Sequence, residues 1–199
     1  GLVREHLEAG GDWRAVVDGL RPYTQPLWRS LSQEARRRFL RHARAWWDIH
    51  RHRMAPAAAE RIEAARRTGQ LAVVAGRVTG FDPRGRGVTV RYIARTGASE
   101  TRLDADAVFE CRGRAADVTA TENPVLRQLL ADGLVRPDQL GLGLDVGLDC
   151  GVRRADGTPS QRLFAVGPIT SGTFWEIVAV PDIRQQVAKL AGNLLAERI

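Results

Sequence analysis

The hydrophobic period of the chain changes at Gly69, and this change constrains the fold more than any other feature of the sequence. Before Gly69, apolar residues recur close to every 3.6 positions, the period of an amphipathic helix. After it, short apolar segments alternate with glycine-rich turns, as in strands that are joined by hairpins. The sequence therefore predicts a helical region over 1–69, a β-meander over 70–103 and a third region over 104–199.

Start signals mark three helices in the first region. Asp12 is placed to cap a short helix that Pro22 ends. A longer amphipathic helix follows, and Ser30 with Gln33 has the spacing of a capping box at its start. Pro56 fits the first turn of a third helix, because proline is favoured there. The apolar positions of the longer helix are Leu31, Phe39, Leu40, Ala43, Trp46, Trp47 and Met54.

Short apolar segments separated by tight turns follow these helices. LAVVAGRVTGFD (71–82) is expected to form one strand, and GVTVRYIA (87–94) alternates apolar and polar residues. ETRLDADAVFECRG (100–113) leads into a short apolar strand from Ala107 to Cys111. The tight turns predict an antiparallel meander, whereas an apolar run that ends at glycine is typical of a strand in a mixed or parallel sheet.

The third region combines apolar strands with helices. Asn123 is expected to cap a short helix, and roughly Pro181 to Glu197 forms a terminal amphipathic helix. Two apolar strands break at a glycine, one within 104–114 and one within 161–172. Glycine lets a ligand approach the backbone closely, and ligands of open α/β sheets lie at the carboxyl ends of strands. We therefore expect a ligand site at these two strand ends.

The order of these segments resembles the C-terminal half of flavoproteins with two dinucleotide-binding domains. One strand of that superfamily reads D-A-V-I-x-A-T-G, and Asp106–Gly113 reads D-A-V-F-E-C-R-G. A later strand reads V-Y-A-I-G-D, and Leu163–Pro168 reads L-F-A-V-G-P. More narrowly, GPITSGTFWEIVAVPDIRQQVAKLA (167–191) and the helix exit HRHRMAP (50–56) are similar to a largely uncharacterised bacterial FAD/NAD(P)-binding family. The resemblance extends from about Asp12 onward.

This resemblance implies a mixed α+β or α/β fold with an incomplete Rossmann-like FAD-binding sheet and a C-terminal helix. It implies that the parent protein is an oxidoreductase in which FAD accepts a hydride from NAD(P)H and passes it to an unknown acceptor or to oxygen. Backbone amides near the start of the last helix would face the pyrimidine edge of the flavin. The cofactor-binding residues that it implies are Cys111, Arg112, Gly113, Gly167, Pro168, Phe174, Trp175, Glu176 and Ile177.

The chain departs from that superfamily in ways that limit its activity. The G-x-G-x-x-G turn that holds the pyrophosphate is absent, so we expect a C-terminal fragment that is inactive without an N-terminal dinucleotide-binding segment. Pro168 replaces the aspartate that usually binds the ribityl chain, and Arg112 replaces a small hydroxyl residue. We name no catalytic residue, because no side chain stands out as an acid, a base or a redox-active thiol.

A different class of function stays open for the arginine-rich helices. The net charge of +7 arises with 29 arginines and one lysine, Lys189, and much of the excess lies between Arg36 and Arg67. A solvated helix face, or a surface that meets another part of the protein, explains this charge more simply than nucleic acid does. The alternative to the oxidoreductase is thus a non-enzymatic domain that binds a protein or nucleic acid through these helices.

The remaining composition favours a cytoplasmic protein that does not cross a membrane. No apolar run approaches the roughly 18 residues that a membrane span needs. Cys111 and Cys150 form no CxxC motif and fit a reduced protein. His50 and His52 would lie about 200° apart around a helix, so we expect no metal site there. The sequence leaves homo-oligomerisation and the substrate open.

Overall fold

The computed structural model describes residues 2–111 and 117–196, and it divides the chain into two compact units. The first unit combines Gly1–His52 with Arg114–Ile199, and the second consists of Arg53–Gly113. The N-terminal part of the first unit is helical, as the sequence predicts. Its helices are α1 (Leu2–Glu8), α2 (Trp13–Gly19), α3 (Thr24–Ser30), α4 (Gln33–His42) and α5 (Arg44–Arg51).

The cap of α2 is confirmed, whereas the predicted cap of α4 is wrong. The Asp12 carboxylate accepts a hydrogen bond from the Arg14 amide at 3.0 Å. Ser32, not Ser30, caps α4 by accepting from the Ala35 amide at 3.2 Å. The Ser30 hydroxyl belongs to the last turn of α3, where it donates to a backbone carbonyl of its own helix. Ser30 and Ser32 both precede a helical pattern, so the sequence alone does not distinguish them as caps. Because α3 extends through Ser30, only Ser32 is placed to cap α4.

The single long helix predicted after Ser30 in fact starts two residues later, at Gln33, and is interrupted once. Leu31 ends α3 with an extended backbone, and Ala43 separates α4 from α5 at a φ of −116°. Apolar residues keep their spacing across the break at Ala43, so periodicity alone does not reveal it. Phe39 of α4 and Trp47 of α5 meet edge to face, with ring centroids 6.4 Å apart.

The second unit contains α6 (Pro56–Arg67) and a three-stranded antiparallel sheet in the order β1-β2-β3. The strands are β1 (Gly76–Arg84), β2 (Gly87–Ala94) and β3 (Glu100–Ala105), which confirms the antiparallel meander. β1 starts later than the predicted segment 71–82. Gly69 follows α6 with a φ of +74°, a conformation that favours glycine, as expected of a helix stop.

The apolar strand predicted from Ala107 to Cys111 is absent, because residues 106–111 form no strand. Ala105 of β3 pairs with Val88, and β2 begins only one residue earlier, so β2 offers no partner beyond this point. Phe109 is accordingly 85% exposed. Arg112 and Gly113, which the sequence assigns to the same strand end, lie outside the described residues.

The C-terminal part of the first unit contains two helices and a hairpin. Asn123 caps α7 (Pro124–Ala131) as predicted, with its side-chain oxygen accepting from two amides at 3.0 and 3.2 Å. A short hairpin pairs β4 (Gly151–Arg153) with β5 (Pro159–Phe164), and α8 (Val180–Ala196) follows. The chain therefore has a mixed helix and sheet fold with a C-terminal helix.

Two buried clusters hold the first unit together. One cluster surrounds Ile177, which is 1% exposed, and includes side chains from the hairpin, with α8 packed against it. The other consists of Trp28, Leu142 and Trp175, with Phe39 and Trp47 against it. Residues 174–177 supply side chains to both clusters. This short segment is consequently fixed from two sides.

Candidate functional site

A cleft of about 610 Å³ lies within the first unit. Its walls come from α3 and the preceding turn, from residues 148–150, from residues 174–177 and from one face of α8. Small-molecule sites usually enclose roughly 300–1,000 Å³, so the cleft has a suitable size. Four of the nine residues that the resemblance implies line it: Phe174, Trp175, Glu176 and Ile177.

The other five predicted residues are distributed differently. Gly167 adjoins the cleft, because its amide donates to the side-chain oxygen of the cleft residue Gln186 at 2.6 Å. Pro168 follows it in a 3₁₀ turn spanning Gly167–Ile169. Cys111 is an exposed residue of the second unit, and the remaining two residues of that strand end are not described. The structure thus groups the C-terminal half of the predicted set around the cleft.

Trp175 is a core residue as well as a wall of the cleft. Its ring stacks on Trp28 with centroids 4.5 Å apart and meets Phe39 edge to face. The Trp28 indole N–H donates to the Gly172 carbonyl at 2.8 Å, which fixes the chain just before the cleft segment. The rings of Phe174 and Trp175 are therefore part of the core as well as of the cleft wall.

Glu176 is held in an uncommon conformation. Its φ is +62°, in the left-handed region that side chains other than glycine rarely adopt. Its carboxylate accepts from the Trp47 indole at 2.8 Å and lies 3.6 Å from Arg51 Nε and 3.5 Å from His52 Nε2. Such strain costs on the order of 1–3 kcal/mol and is concentrated at functional sites. The contacts with α5 and its C-cap stabilise the strained turn.

Cys150 is the second non-glycine residue with a positive φ among the described residues, and it also lines the cleft. Its thiol is buried, and this burial raises the pKa, although a hydrogen bond with Gln186 opposes the shift. A raised pKa keeps the thiol neutral at neutral pH, and a neutral thiol is a poor nucleophile. Cys150 therefore shapes the cleft and is unsuited to covalent chemistry.

Two backbone amides beside the cleft have no acceptor in the described part of the protein. The amides of Phe174 and Ile177 are used within the turn, where they donate to the carbonyls of Thr170 and Phe174. Those of Trp175 and Glu176 donate to no backbone or side-chain acceptor among the described residues. Unpaired amides next to a cleft are available to a ligand that carries acceptor oxygens.

Polar residues of α8 form a wall of the cleft that the sequence interpretation missed. Asp182, Gln186, Lys189 and Asn193 recur every three or four residues and line the cleft. This spacing puts them on one helix face, next to the apolar stripe that the sequence predicts. Gln186 is buried and also donates to the Thr170 hydroxyl at 3.1 Å. Gln186 and Lys189, on the polar face of this helix, were the residues from which the sequence could have indicated this wall.

Comparison of the chain with protein-family models, with curated proteins and with solved structures gives no match. Over residues 2–111 and 117–196, no group of three histidine, cysteine, aspartate or glutamate side chains is arranged to hold a metal ion. None of the helices in this described part is long and apolar enough to cross a membrane. The site must therefore be interpreted from its own geometry.

Proposed function

We propose that the chain is the C-terminal part of a FAD-dependent oxidoreductase that uses NAD(P)H, and that the cleft is one wall of its flavin site. One observation carries the proposal. The segment that the resemblance assigns to the pyrimidine edge of the flavin, residues 174–177, lines the cleft and has two amides without an acceptor among the described residues. In this proposal the rest of a Rossmann-like sheet comes from an N-terminal dinucleotide-binding segment, and the protein is cytoplasmic.

The residues of the cleft fit a flavin edge. The pyrimidine ring of a flavin presents carbonyl oxygens, which accept hydrogen bonds from backbone N–H groups such as those of Trp175 and Glu176. Stacking of Trp175 on Trp28 holds these amides in place before a ligand arrives. Bound FAD would supply the hydride chemistry, while the protein binds and orients it. Pro168 offers no side-chain acceptor to the ribityl hydroxyls, so another residue must bind them.

The visible absorption spectrum of a longer protein, which includes the upstream sequence, tests the proposal. The chain is expressed together with its natural upstream sequence and purified without added cofactor. We expect the visible absorption band of oxidised flavin and its loss when NADPH or NADH is added. A colourless protein that also fails to take up added FAD would contradict the proposal and would favour the non-enzymatic interaction domain.

A matched pair of tryptophan substitutions on α8 assigns the flavin to this cleft. Asn193 lines the cleft, whereas Ala188 is exposed on the same helix and does not line it. Asn193→Trp should fill the cleft and abolish flavin retention, and Ala188→Trp should leave it unchanged. Equal flavin content in both variants would place the flavin elsewhere in the protein.

A further inference from the structure

The charged side chains of the cleft do not balance. Arg21 lies 3.7 Å from Asp182, and Arg51 lies 3.6 Å from Glu176, so each of these two arginines has a carboxylate beside it. The third acid of the cleft, Asp149, accepts from the Gly151 amide at 3.1 Å.

Two further cations also line the cleft. Arg29 and Lys189 form no ion pair within the part of the chain that the structure describes. Both side chains are on exposed residues, so they are hydrated and free to move toward a ligand. The cleft therefore has an excess of positive charge at its surface.

Hydrogen-bond donors are also in excess among the residues that line the cleft. Arg51 Nε is buried without a hydrogen-bond acceptor in the described residues, because its 3.6 Å distance to Glu176 is too long for a hydrogen bond. The amides of Trp175 and Glu176, which have no acceptor in the described part of the chain, add two more donors. A buried donor without an acceptor is unfavourable, and a ligand that supplies acceptor oxygens removes this cost.

We infer that this cleft binds a phosphate-bearing small molecule. Phosphate offers more acceptor oxygens than a carboxylate, and guanidinium groups and backbone amides bind it well. The volume of about 610 Å³ exceeds what an isolated phosphate ion occupies, so the cleft has room for an organic group beside the phosphate. The inference goes beyond the flavin proposal, because it also depends on the charges of Arg29 and Lys189 and on the buried Arg51 Nε, which the flavin proposal does not use.

Isothermal titration of the 199-residue chain with inorganic pyrophosphate and with ADP tests the inference. The cleft variant is Arg29→Gln combined with Lys189→Gln. The control variant is Arg127→Gln combined with Arg184→Gln, which removes the same charge from exposed positions outside the cleft. We expect saturable binding to the native chain, an affinity loss on the order of tenfold in the cleft variant, and little loss in the control.

The results of this titration can either support or overturn the phosphate site. Tighter binding of ADP than of pyrophosphate would favour a nucleotide as the ligand, and the reverse would favour a smaller phosphorylated molecule. No binding of either probe, or equal losses in the two variants, would overturn the inference. Circular dichroism of both variants confirms that they are folded.

Riboflavin separates this inference from the flavin proposal. It carries the flavin ring without phosphate, whereas pyrophosphate carries phosphate without the ring. Binding of pyrophosphate by the chain, combined with a colourless longer protein that takes up neither riboflavin nor FAD, would support the phosphate site and refute the flavin site. The opposite result is a yellow longer protein whose pyrophosphate binding does not depend on Arg29 and Lys189. It would support the flavin site and refute the phosphate site.

Discussion

At the scale of single residues, Glu176 joins the cleft to the N-terminal helices. Its side chain is 12% exposed, and that of its partner Arg51 is 14% exposed. A charge left without its partner at such a depth is unfavourable, because the protein interior solvates it poorly. The strained backbone of Glu176 therefore depends on contacts that its own carboxylate makes.

Glu176→Gln should consequently destabilise the protein by about 1–3 kcal/mol, since Arg51 would lose its counter-charge. Urea unfolding followed by circular dichroism measures the change. Glu122→Gln is the control, because Glu122 is exposed and does not line the cleft. An equal effect of the two substitutions would show that the ion pair does not stabilise the turn.

The two cysteines should differ in reactivity. Cys111 is exposed, whereas Cys150 is buried and burial raises the pKa of its thiol. In the folded protein, a thiol-specific reagent should therefore modify Cys111 quickly and Cys150 only after denaturation. Cys111→Ser should remove the fast phase. Fast modification that persists in the Cys111→Ser variant would mean that Cys150 is accessible in solution.

The same shift predicts how stability depends on pH. Because the folded pKa of Cys150 is raised, the unfolded chain releases this proton at a lower pH than the folded chain does. The contribution of Cys150 to stability should be complete below the unfolded thiol pKa of about 8.5 and should decline as the pH rises through the folded pKa. Urea midpoints of the Cys150→Ala variant should lack this alkaline decline.

At the scale of helices and strands, the two serines before α4 offer a direct test of capping. Ser32→Ala should cost about 1 kcal/mol, because Ser32 accepts from the Ala35 amide at the start of the helix. Ser30→Ala should cost less, because the Ser30 hydroxyl donates to a carbonyl inside α3. Chemical denaturation compares the two variants. A larger loss of stability in Ser30→Ala than in Ser32→Ala would support Ser30 as the cap, as the sequence predicted.

Elements defined by local signals were predictable from sequence, and those that need a distant partner were not. Asn123 and Pro56 mark their helix starts within one turn of chain, and β2 alternates along its own length. The apolar run after Ala105 has suitable strand residues, but it pairs with no strand in the described part of the protein. Pairing is a property of two segments, so the composition of one segment cannot establish it.

The candidate site was predictable in part for the same reason. Residues 174–177 came from the resemblance of a contiguous run, and they do line the cleft. Arg21, Arg29 and Arg51 come from the N-terminal helices, far from this run in the sequence, and only folding brings them to the same cleft. No spacing rule relates these arginines to α8.

At the scale of the whole molecule, an aromatic contact joins the two ends of the chain within the first unit. Trp28 is 3% exposed and stacks on Trp175, whereas Trp46 is 66% exposed. Trp28→Ala should cost about 3–5 kcal/mol, the usual cost of removing a buried aromatic ring, and Trp46→Ala should cost under about 1 kcal/mol. Urea unfolding compares them. Similar losses of stability in the two variants would show that the contact between Trp28 and Trp175 is not the main connection between these two parts of the first unit.

The discontinuous first unit has a consequence for synthesis on the ribosome. Its N-terminal helices emerge early, but the partner of Trp28 and Phe39, Trp175, is made only after the whole second unit. At typical translation rates of about 5–20 residues per second, Trp28 must wait roughly 7–30 s before Trp175 emerges. During that interval the meander can fold, while the first helices expose an apolar surface. Nascent chains of this protein should therefore need protection by a chaperone early in translation, before the last helix is made.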